Sequence, residues 1–148
     1  MTLAVEDARG LVSKRAMNYR DFEDQLKVAG GYGAVDPKRS FEIMDAGIAE
    51  LNELLNAATV LNGFEVEIFR DGELSSRSDS DLVRMVARFG SQIAALAKVD
   101  FDGARATADK FQMPEARMTA RLSIVQNALG AQPTNVNNRN PNLQYFVR

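Results

Sequence analysis

The sequence predicts a mainly α-helical protein, a bundle of about five or six helices with one small β-hairpin at about residues 64–76 and an extended C-terminal arm. Apolar residues recur at spacings of three and four along most of the chain up to residue 130, as one face of a helix requires. One short segment instead alternates apolar and charged residues, as a strand does. We therefore expect a single helical domain over residues 1–130 and an arm over residues 131–148.

The N-terminal region predicts two helices. The first would be interrupted by Gly10 and would bury the residues Val5, Ala8, Leu11, Val12 and Ala16. The second, in "NYRDFEDQLKVAG", would turn Phe22 and Leu26 inward. The glycines of the following "GGYGAVDP" then predict a flexible connection.

A long helix is predicted over about residues 37–62. Asp36 suits the N-cap, Pro37 suits the first helical position, and Gly63 is placed to end the helix. Its apolar residues recur at spacings of three and four, which is typical of a bundle seam. These residues are Phe41, Met44, Ile48, Leu51, Leu55 and Ala58.

The segment "FEVEIFRDGELSS" predicts the hairpin. Apolar and acidic residues alternate in its first part, and Asp71-Gly72 is a pair that tight hairpin turns prefer. The second part, from Leu74 to Ser76, is mostly polar. An irregular protruding loop is therefore the alternative, because a lone two-stranded hairpin is marginally stable.

A further helix is predicted from "SDSD" to about Val99. Ser78 and Asp81 have the spacing of a capping box, with aspartate in place of glutamate. Gly90 in its middle would permit close packing of a neighbouring helix. Its apolar face would consist of Leu82, Val86, Phe89, Ile93 and Leu96, with Met85 beside it.

Two more helices complete the predicted bundle. The first would run over about residues 102–112, and the second would begin at Pro114 and end at Gly130. The inward face of the second would consist of Met118, Leu122, Val125 and Leu129.

Composition limits the class of protein. A chain of 148 residues with 45% apolar residues suffices for one domain with a core. It contains no apolar run near the length of about 18 residues that suggests a membrane span. Acidic residues in "MTLAVEDARG" stand where a signal peptide has a basic start. We therefore expect a cytoplasmic protein with no membrane partner.

The sequence contains no cysteine and no histidine. Disulfides, thiolate nucleophiles, the usual zinc and haem ligands and the side chain best suited to proton transfer near neutral pH are thereby excluded. We expect no metal and no cofactor, and a protein that is not an enzyme. An enzyme would depend on carboxylates, lysine, tyrosine or serine, or on oxygen-bound Mg²⁺.

Charge is distributed unevenly along the chain. Up to Arg77 there are 9 basic and 14 acidic residues, a balance of −5, whereas from Ser78 onward there are 9 and 6, a balance of +3. This asymmetry favours contact between copies of the molecule or affinity of the second half for an anionic partner. Scattered surface charge is the alternative interpretation.

Three short motifs suggest ligand binding but are better explained by helix ends and turns. "DFDGAR" begins like an EF-hand loop, yet Ala104 and Phe111 occupy the positions where that loop needs oxygen ligands. "GGYG" is not followed by the lysine of a phosphate-binding loop. The acids and serines of "SRSDSD" serve for helix capping without any ion.

Two pairs of arginines, each pair one helical turn apart, are candidates for contact with nucleic acid or another acidic partner. They are Arg84 with Arg88 and Arg117 with Arg121. The overall isoelectric point near 5.2 argues against binding of free DNA or RNA. We therefore expect contact with nucleic acid only in an assembled state, and salt bridges or solvated helix faces are the alternative.

The last fourteen residues, "NVNNRNPNLQYFVR", combine five asparagines with an apolar end. Pro133 and Pro141 favour an extended backbone. Such an arm either folds back on its own domain or docks on a neighbouring subunit, and its reach of roughly 45 Å favours the neighbour. The predicted subunit-interface residues are Leu143, Tyr145, Phe146 and Val147.

These features together predict a structural assembly protein that associates with copies of itself and with other structural subunits. The small, cysteine-free, arm-bearing design is similar in outline to helical coat, nucleocapsid and connector subunits of viruses and phages, and in that case the protein would be located in the virion. An adaptor or inhibitor-type module whose tail docks into a partner protein is the first alternative. A small enzyme using carboxylates and Mg²⁺ is the second.

Overall fold

The computed structural model describes residues 15–62, 69–70, 73–74 and 80–130. This part of the chain contains five α-helices and two strands of two residues each. The predicted mainly helical class is therefore confirmed. In chain order the elements are α1 (Tyr19–Tyr32), α2 (Pro37–Leu61), β1 (Phe69–Arg70), β2 (Glu73–Leu74), α3 (Asp81–Leu96), α4 (Phe101–Ala108) and α5 (Pro114–Ala128).

Helix α1 is longer than the sequence predicts. Asn18 caps it by accepting a hydrogen bond from the Asp21 N–H. The helix continues through Gly30 and Gly31, which were expected to belong to a flexible connection, and Gly33 is its C-cap. These glycines bring the end of α1 close to α3. A Cβ atom added to Gly30 would lie 3.0 Å from Gln92 Nε2, and one added to Gly33 would lie 2.8 Å from Leu96 Cδ2.

Helix α2 matches its prediction. The Asp36 carboxylate accepts a hydrogen bond from the Arg39 N–H at 3.1 Å, and Pro37 is the first helical residue. Phe41 is half-buried. The other predicted seam residues are buried, namely Met44, Ile48, Leu51, Leu55 and Ala58.

The start of α3 differs from the prediction. Ser80 is the N-cap, and its Oγ accepts a hydrogen bond from the Val83 N–H at 3.2 Å. Asp81 is therefore the first helical residue. In a capping box with Ser78 as the N-cap, Asp81 would be the third helical residue. The helix ends at Leu96, before the predicted Val99, because the chain turns there. The residues of the predicted apolar face, Leu82, Val86, Phe89, Ile93 and Leu96, are all buried, and so is Met85 beside it.

The core lies where α1, α2 and α3 meet. The rings of Phe22 and Phe89 pack edge to face, with centroids 6.1 Å apart. Helix α2 makes room for Phe89 at Gly47, where an added Cβ atom would lie 2.8 Å from the Cζ atom of that ring. The core thus depends on the large ring of Phe89 facing Gly47, which has no side chain.

Helix α4 is shorter than the predicted 102–112. Asp100 caps it through a 2.8 Å hydrogen bond from the Gly103 N–H, which confirms the capping interpretation of "DFDGAR". Beyond Ala108 the chain turns, and Phe111 is fully buried outside the helix.

Asn52 of α2 holds the connection between α4 and α5. Its Nδ2 donates to the Lys110 carbonyl at 2.9 Å, and its Oδ1 accepts from the Gln112 N–H at 3.1 Å. A buried side chain thereby satisfies backbone groups that have no helical partner.

The two short strands pair antiparallel, with Phe69 opposite Leu74 and Arg70 opposite Glu73. Asn62 at the end of α2 bonds both backbone groups of Phe69, at 2.9 and 3.1 Å. The rest of the predicted hairpin lies outside the described residues, so a hairpin over 64–76 stays a prediction.

Two further predictions lie wholly or largely outside the described residues. The arm over residues 131–148 is one, and the first predicted helix is the other. Of that helix Ala16 is described, and it lies in non-helical backbone where its N–H donates to the Glu50 carboxylate at 2.8 Å. Within the described ranges no helix combines the length and apolar character needed to cross a membrane.

Candidate assembly surface

Helix α5 packs on α3 through small residues. Ala116 and Ala120 are fully buried, and Ile124 is nearly so. Gly90 of α3 lies opposite Ala120, where an added Cβ atom would be 3.3 Å from Ala120 Cα and 3.2 Å from Ser123 Oγ. The two helices therefore approach closely, backbone to backbone, as the sequence predicted for Gly90.

The large apolar residues of α5 and its C-cap lie on the opposite side of the helix and are exposed. The prediction that Met118, Leu122, Val125 and Leu129 face inward is wrong. Their exposed fractions are 67%, 55%, 49% and 78%, respectively. At about 100° per residue, this row lies roughly 180° from Ala116, Ala120 and Ile124. We call Met118, Leu122, Val125 and Leu129 the α5 stripe.

The physical reason for this orientation is the distance between α3 and α5. Only small side chains fit between two helices whose backbones are nearly in contact, because larger ones force the axes toward the usual separation of about 8–10 Å. Ala116 and Ala120 meet this condition. The large residues of the stripe do not, and they point away from the bundle.

The exposed apolar surface continues from the stripe onto α4. Phe101, the first residue of that helix, is half exposed. Together with Arg105, Arg121, Ile124 and Val125 it lines a groove of about 300 Å³ between α4 and α5. Because contiguous exposed apolar surface is uncommon on a monomer and often marks an interaction site, this side of the molecule is the candidate assembly surface.

The four predicted arginines lie on α3 and α5. Arg84 forms an ion pair with Asp81, Arg88 with Glu23, and Arg121 with Asp109 at 2.6 Å. Arg117 has no ion pair among the described residues. A phosphate group would therefore compete with a carboxylate at three of the four positions, and contact with nucleic acid stays a prediction.

The acidic residues of α2 contact neighbouring parts of the same domain. Asp45 accepts a hydrogen bond from Thr107 Oγ1 at 3.1 Å and forms an ion pair with Lys110. Glu53 pairs with Arg15. Within the described residues, no group of three or more acidic side chains is placed to hold a metal ion.

Two side chains of α1 have shifted pKa values. Partial burial, with a smaller effect from the nearby Asp81 carboxylate, raises the pKa of Tyr19. The hydrogen bond from Lys27 lowers the pKa of Asp24. Arg20 adds a smaller effect on Asp24 in the same direction, so both shifts have ordinary neighbouring charges or burial as their cause.

The predicted interface residues Leu143, Tyr145, Phe146 and Val147 lie outside the described residues. The α5 stripe was not among the predicted sites, although the sequence of α5 contains a signal for it. Ala116, Ala120 and Ile124 form a second apolar row on α5. When a helix has two opposite apolar rows, only one can face the core, and the other stays exposed. No protein-family model, no curated protein and no solved structure matches the chain.

Proposed function

We propose that the protein is a non-enzymatic structural assembly protein, a subunit that associates with copies of itself in a larger complex such as a viral or phage capsid, nucleocapsid or connector. The observation that carries the proposal is the α5 stripe. Four large apolar side chains form one exposed row on a helix whose opposite side is already packed.

The energetics of the stripe favour a contact with another surface. Removing apolar surface from water contributes about 25 cal/mol per Å², so a row left exposed forgoes this stabilisation. The stripe also has alternating spacings of four, three and four residues, which is the pattern that helices use when they pack on other elements. A subunit would bury the row on assembly.

Charge supports the proposal less than the sequence suggests. Several acids of the first half already pair with cations within one molecule, since Glu23 contacts Arg88 and Asp45 contacts Lys110. These pairs lessen the charge available for contacts between copies. Apolar burial is therefore the main contribution that we propose.

Contact with nucleic acid is a secondary part of the proposal and applies to the assembled state. Arg117 is the candidate because it has no ion pair among the described residues. Reversing Arg117 and Arg121 to glutamate should weaken salt-dependent RNA or DNA binding by the assembled protein. If the variant and the unmodified chain bind nucleic acid with the same affinity at every salt concentration, this part of the proposal is wrong. The assembly proposal does not depend on that result.

The experiment that tests the proposed function is light scattering of the full chain after size-exclusion chromatography over a wide range of protein concentration. The chain has a mass of 16.3 kDa, and we expect the measured mass to rise to multiples of this value. Leu122→Ser should lower the mass at a given concentration, whereas Val60→Ser, at an exposed site on α2, should not. A chain that is monomeric at every concentration contradicts the proposal and would favour the adaptor alternative.

A further inference from the structure

We infer that the α5 stripe is the docking site for the C-terminal arm of a second copy, with the arm's apolar end lying along the stripe. We call Leu143, Tyr145, Phe146 and Val147 the anchor. This inference rests on the proposed function and adds to it the surface that receives the arm.

The dimensions of the two partners agree. The stripe covers residues 118–129, which at about 1.5 Å per residue is about 16 Å along the helix axis. An extended segment from residue 143 to residue 147 covers four steps and spans about 13–14 Å. Such a segment can therefore lie within the length of the stripe.

The alternation of an extended backbone selects which anchor residues make contact. Side chains two residues apart point to the same side, so Leu143, Tyr145 and Val147 would share the face that meets the stripe. Tyr145 is the middle residue of this face. Leu122 and Val125 are the middle residues of the stripe, and we place Tyr145 against them.

Charge favours one direction for the arm. Residues 131–148 contain two arginines, Arg139 and Arg148, and no acidic residue. Glu115 lies one helical turn before Met118 and has no ion pair among the described residues. If Val147 packs near Met118, Arg148 approaches Glu115, so the arm would run antiparallel to α5.

The size of the stripe argues against pairing of two stripes as the only contact. A stable interface buries about 800 Å² on each partner, which is more than one row of four partly exposed side chains provides. Exchange of arms between two copies creates two such contacts related by symmetry, together with the linking segments. Two exchanged arms therefore bury more surface in total than one arm on one stripe.

The linking segment is long enough to reach another molecule. The helix α5 ends at Ala128, and Gly130 with φ of 68° turns the chain just after the last stripe residue. Residues 131–142 span up to about 40 Å when extended. A domain of about 100 residues has a radius of gyration of only about 13 Å, so a segment of this length is long enough to reach past its own domain.

The absence of cysteine from the sequence allows a direct test in the full chain. Leu122→Cys and Tyr145→Cys are made as two separate single variants, one carrying a tag, and are mixed and oxidised. A disulfide forms only where the two Cα atoms come within about 7 Å. We expect a mixed disulfide dimer of the two variants, separated on a non-reducing gel and identified by the tag.

Val60→Cys mixed with Tyr145→Cys is the matched control, because Val60 is 74% exposed and lies on α2. We expect at least tenfold less mixed dimer from the control than from the test pair. Circular dichroism of each variant verifies that the substitutions leave the helices intact. Equal yields from control and test would overturn the inference.

Two other results would also overturn it. Dominant disulfide formation between two Leu122→Cys chains would mean that the stripe pairs with itself. A disulfide found only within one chain of the double variant Leu122→Cys/Tyr145→Cys would mean that each arm folds on its own domain. Assembly in light scattering without the mixed disulfide contradicts this inference alone, whereas a strictly monomeric full chain contradicts the proposed function as well.

Discussion

Two rows of apolar residues have the same spacing in this protein and opposite surroundings. In α2 the row Met44, Ile48, Leu51 and Leu55 is buried, and on α5 the row Met118, Leu122, Val125 and Leu129 is exposed. Both rows follow spacings of four, three and four residues. The comparison teaches that spacing identifies an apolar face, whereas the residues on the opposite face decide which side meets the core.

The opposite faces of the two helices differ in kind. On α2 they carry charged residues such as Glu42 and Glu53, which are exposed and form ion pairs. On α5 the opposite face carries the buried residues Ala116 and Ala120, and Ala120 fits against Gly90. Helix α2 therefore has one surface that can be buried, and helix α5 has two.

The largest expected effect is a difference in stability between a variant of the α2 row and a variant of the α5 row. Leu51→Ala removes a fully buried side chain of α2 and should reduce the free energy of unfolding by about 2–5 kcal/mol. Leu122→Ala, at an exposed position, should change the unfolding free energy of the dissociated chain by no more than about 0.5 kcal/mol. Urea denaturation at low protein concentration measures both values.

The order of the two effects should be reversed when self-association is measured in place of stability. Leu122→Ala should weaken self-association, whereas a Leu51→Ala chain that remains folded should associate normally. Equal loss of stability in the two variants would mean that the α5 stripe is covered within the monomer.

The next effect concerns the close approach of α2 to Phe89. Gly47→Ala places a Cβ atom where the ring now lies and should destabilise the fold by about 1–3 kcal/mol. Gly31→Ala is the control, because nothing lies within 4 Å of the added atom. It should be stabilising by about 0.5–1 kcal/mol, since alanine is the better helix residue. Thermal unfolding followed by circular dichroism distinguishes the two, and a stabilising Gly47→Ala would refute the close contact.

A loss of similar size is expected at Asn52. Asn52→Ala leaves the Lys110 carbonyl and the Gln112 N–H without their side-chain partner and should cost about 1–3 kcal/mol. Asn56→Ala removes one exposed contact of 3.3 Å and should have little effect. Chemical denaturation of both variants provides the measurement. Equal effects would show that Asn52 does not hold the α4–α5 connection.

The smallest expected effect is a change in the pKa of Asp24 on α1, which belongs to neither row. The Lys27 hydrogen bond lowers the pKa of Asp24, so its stabilising contribution is present above the ordinary carboxyl pKa of about 4 and is lost as pH falls through the lower folded value. Lys27→Ala should return the Asp24 pKa toward its ordinary value. NMR titration of the carboxyl carbon measures it, and an unchanged pKa would exclude Lys27 as the cause.

Local sequence patterns predicted the parts of the fold that depend on neighbouring residues. Asp36 and Asp100 cap the helices that they precede, and the inward faces of α2 and α3 are as expected. The start of α3 was misplaced because Ser78 and Ser80 are equally suitable caps by pattern. Tertiary packing selects between such alternatives.

The candidate site could not be predicted from local sequence, because it depends on contacts between distant parts of the chain. The orientation of α5 follows from the approach of Gly90 to Ala120, which no local pattern of α5 contains. Asn52 likewise finds its partner at Lys110, which lies 58 residues away in the sequence. The sequence therefore predicted an apolar face on α5 correctly and its direction wrongly.

The dependence of the unfolding midpoint on protein concentration tests the central claim most directly, namely that the α5 stripe is buried between molecules. A folded state that is also an assembled state gains stability with concentration by mass action. We predict that the midpoint of the full chain rises with concentration, and that Leu122→Ser abolishes the rise while Val60→Ser preserves it. A midpoint that does not change with concentration, or a rise that persists in Leu122→Ser, would contradict the claim.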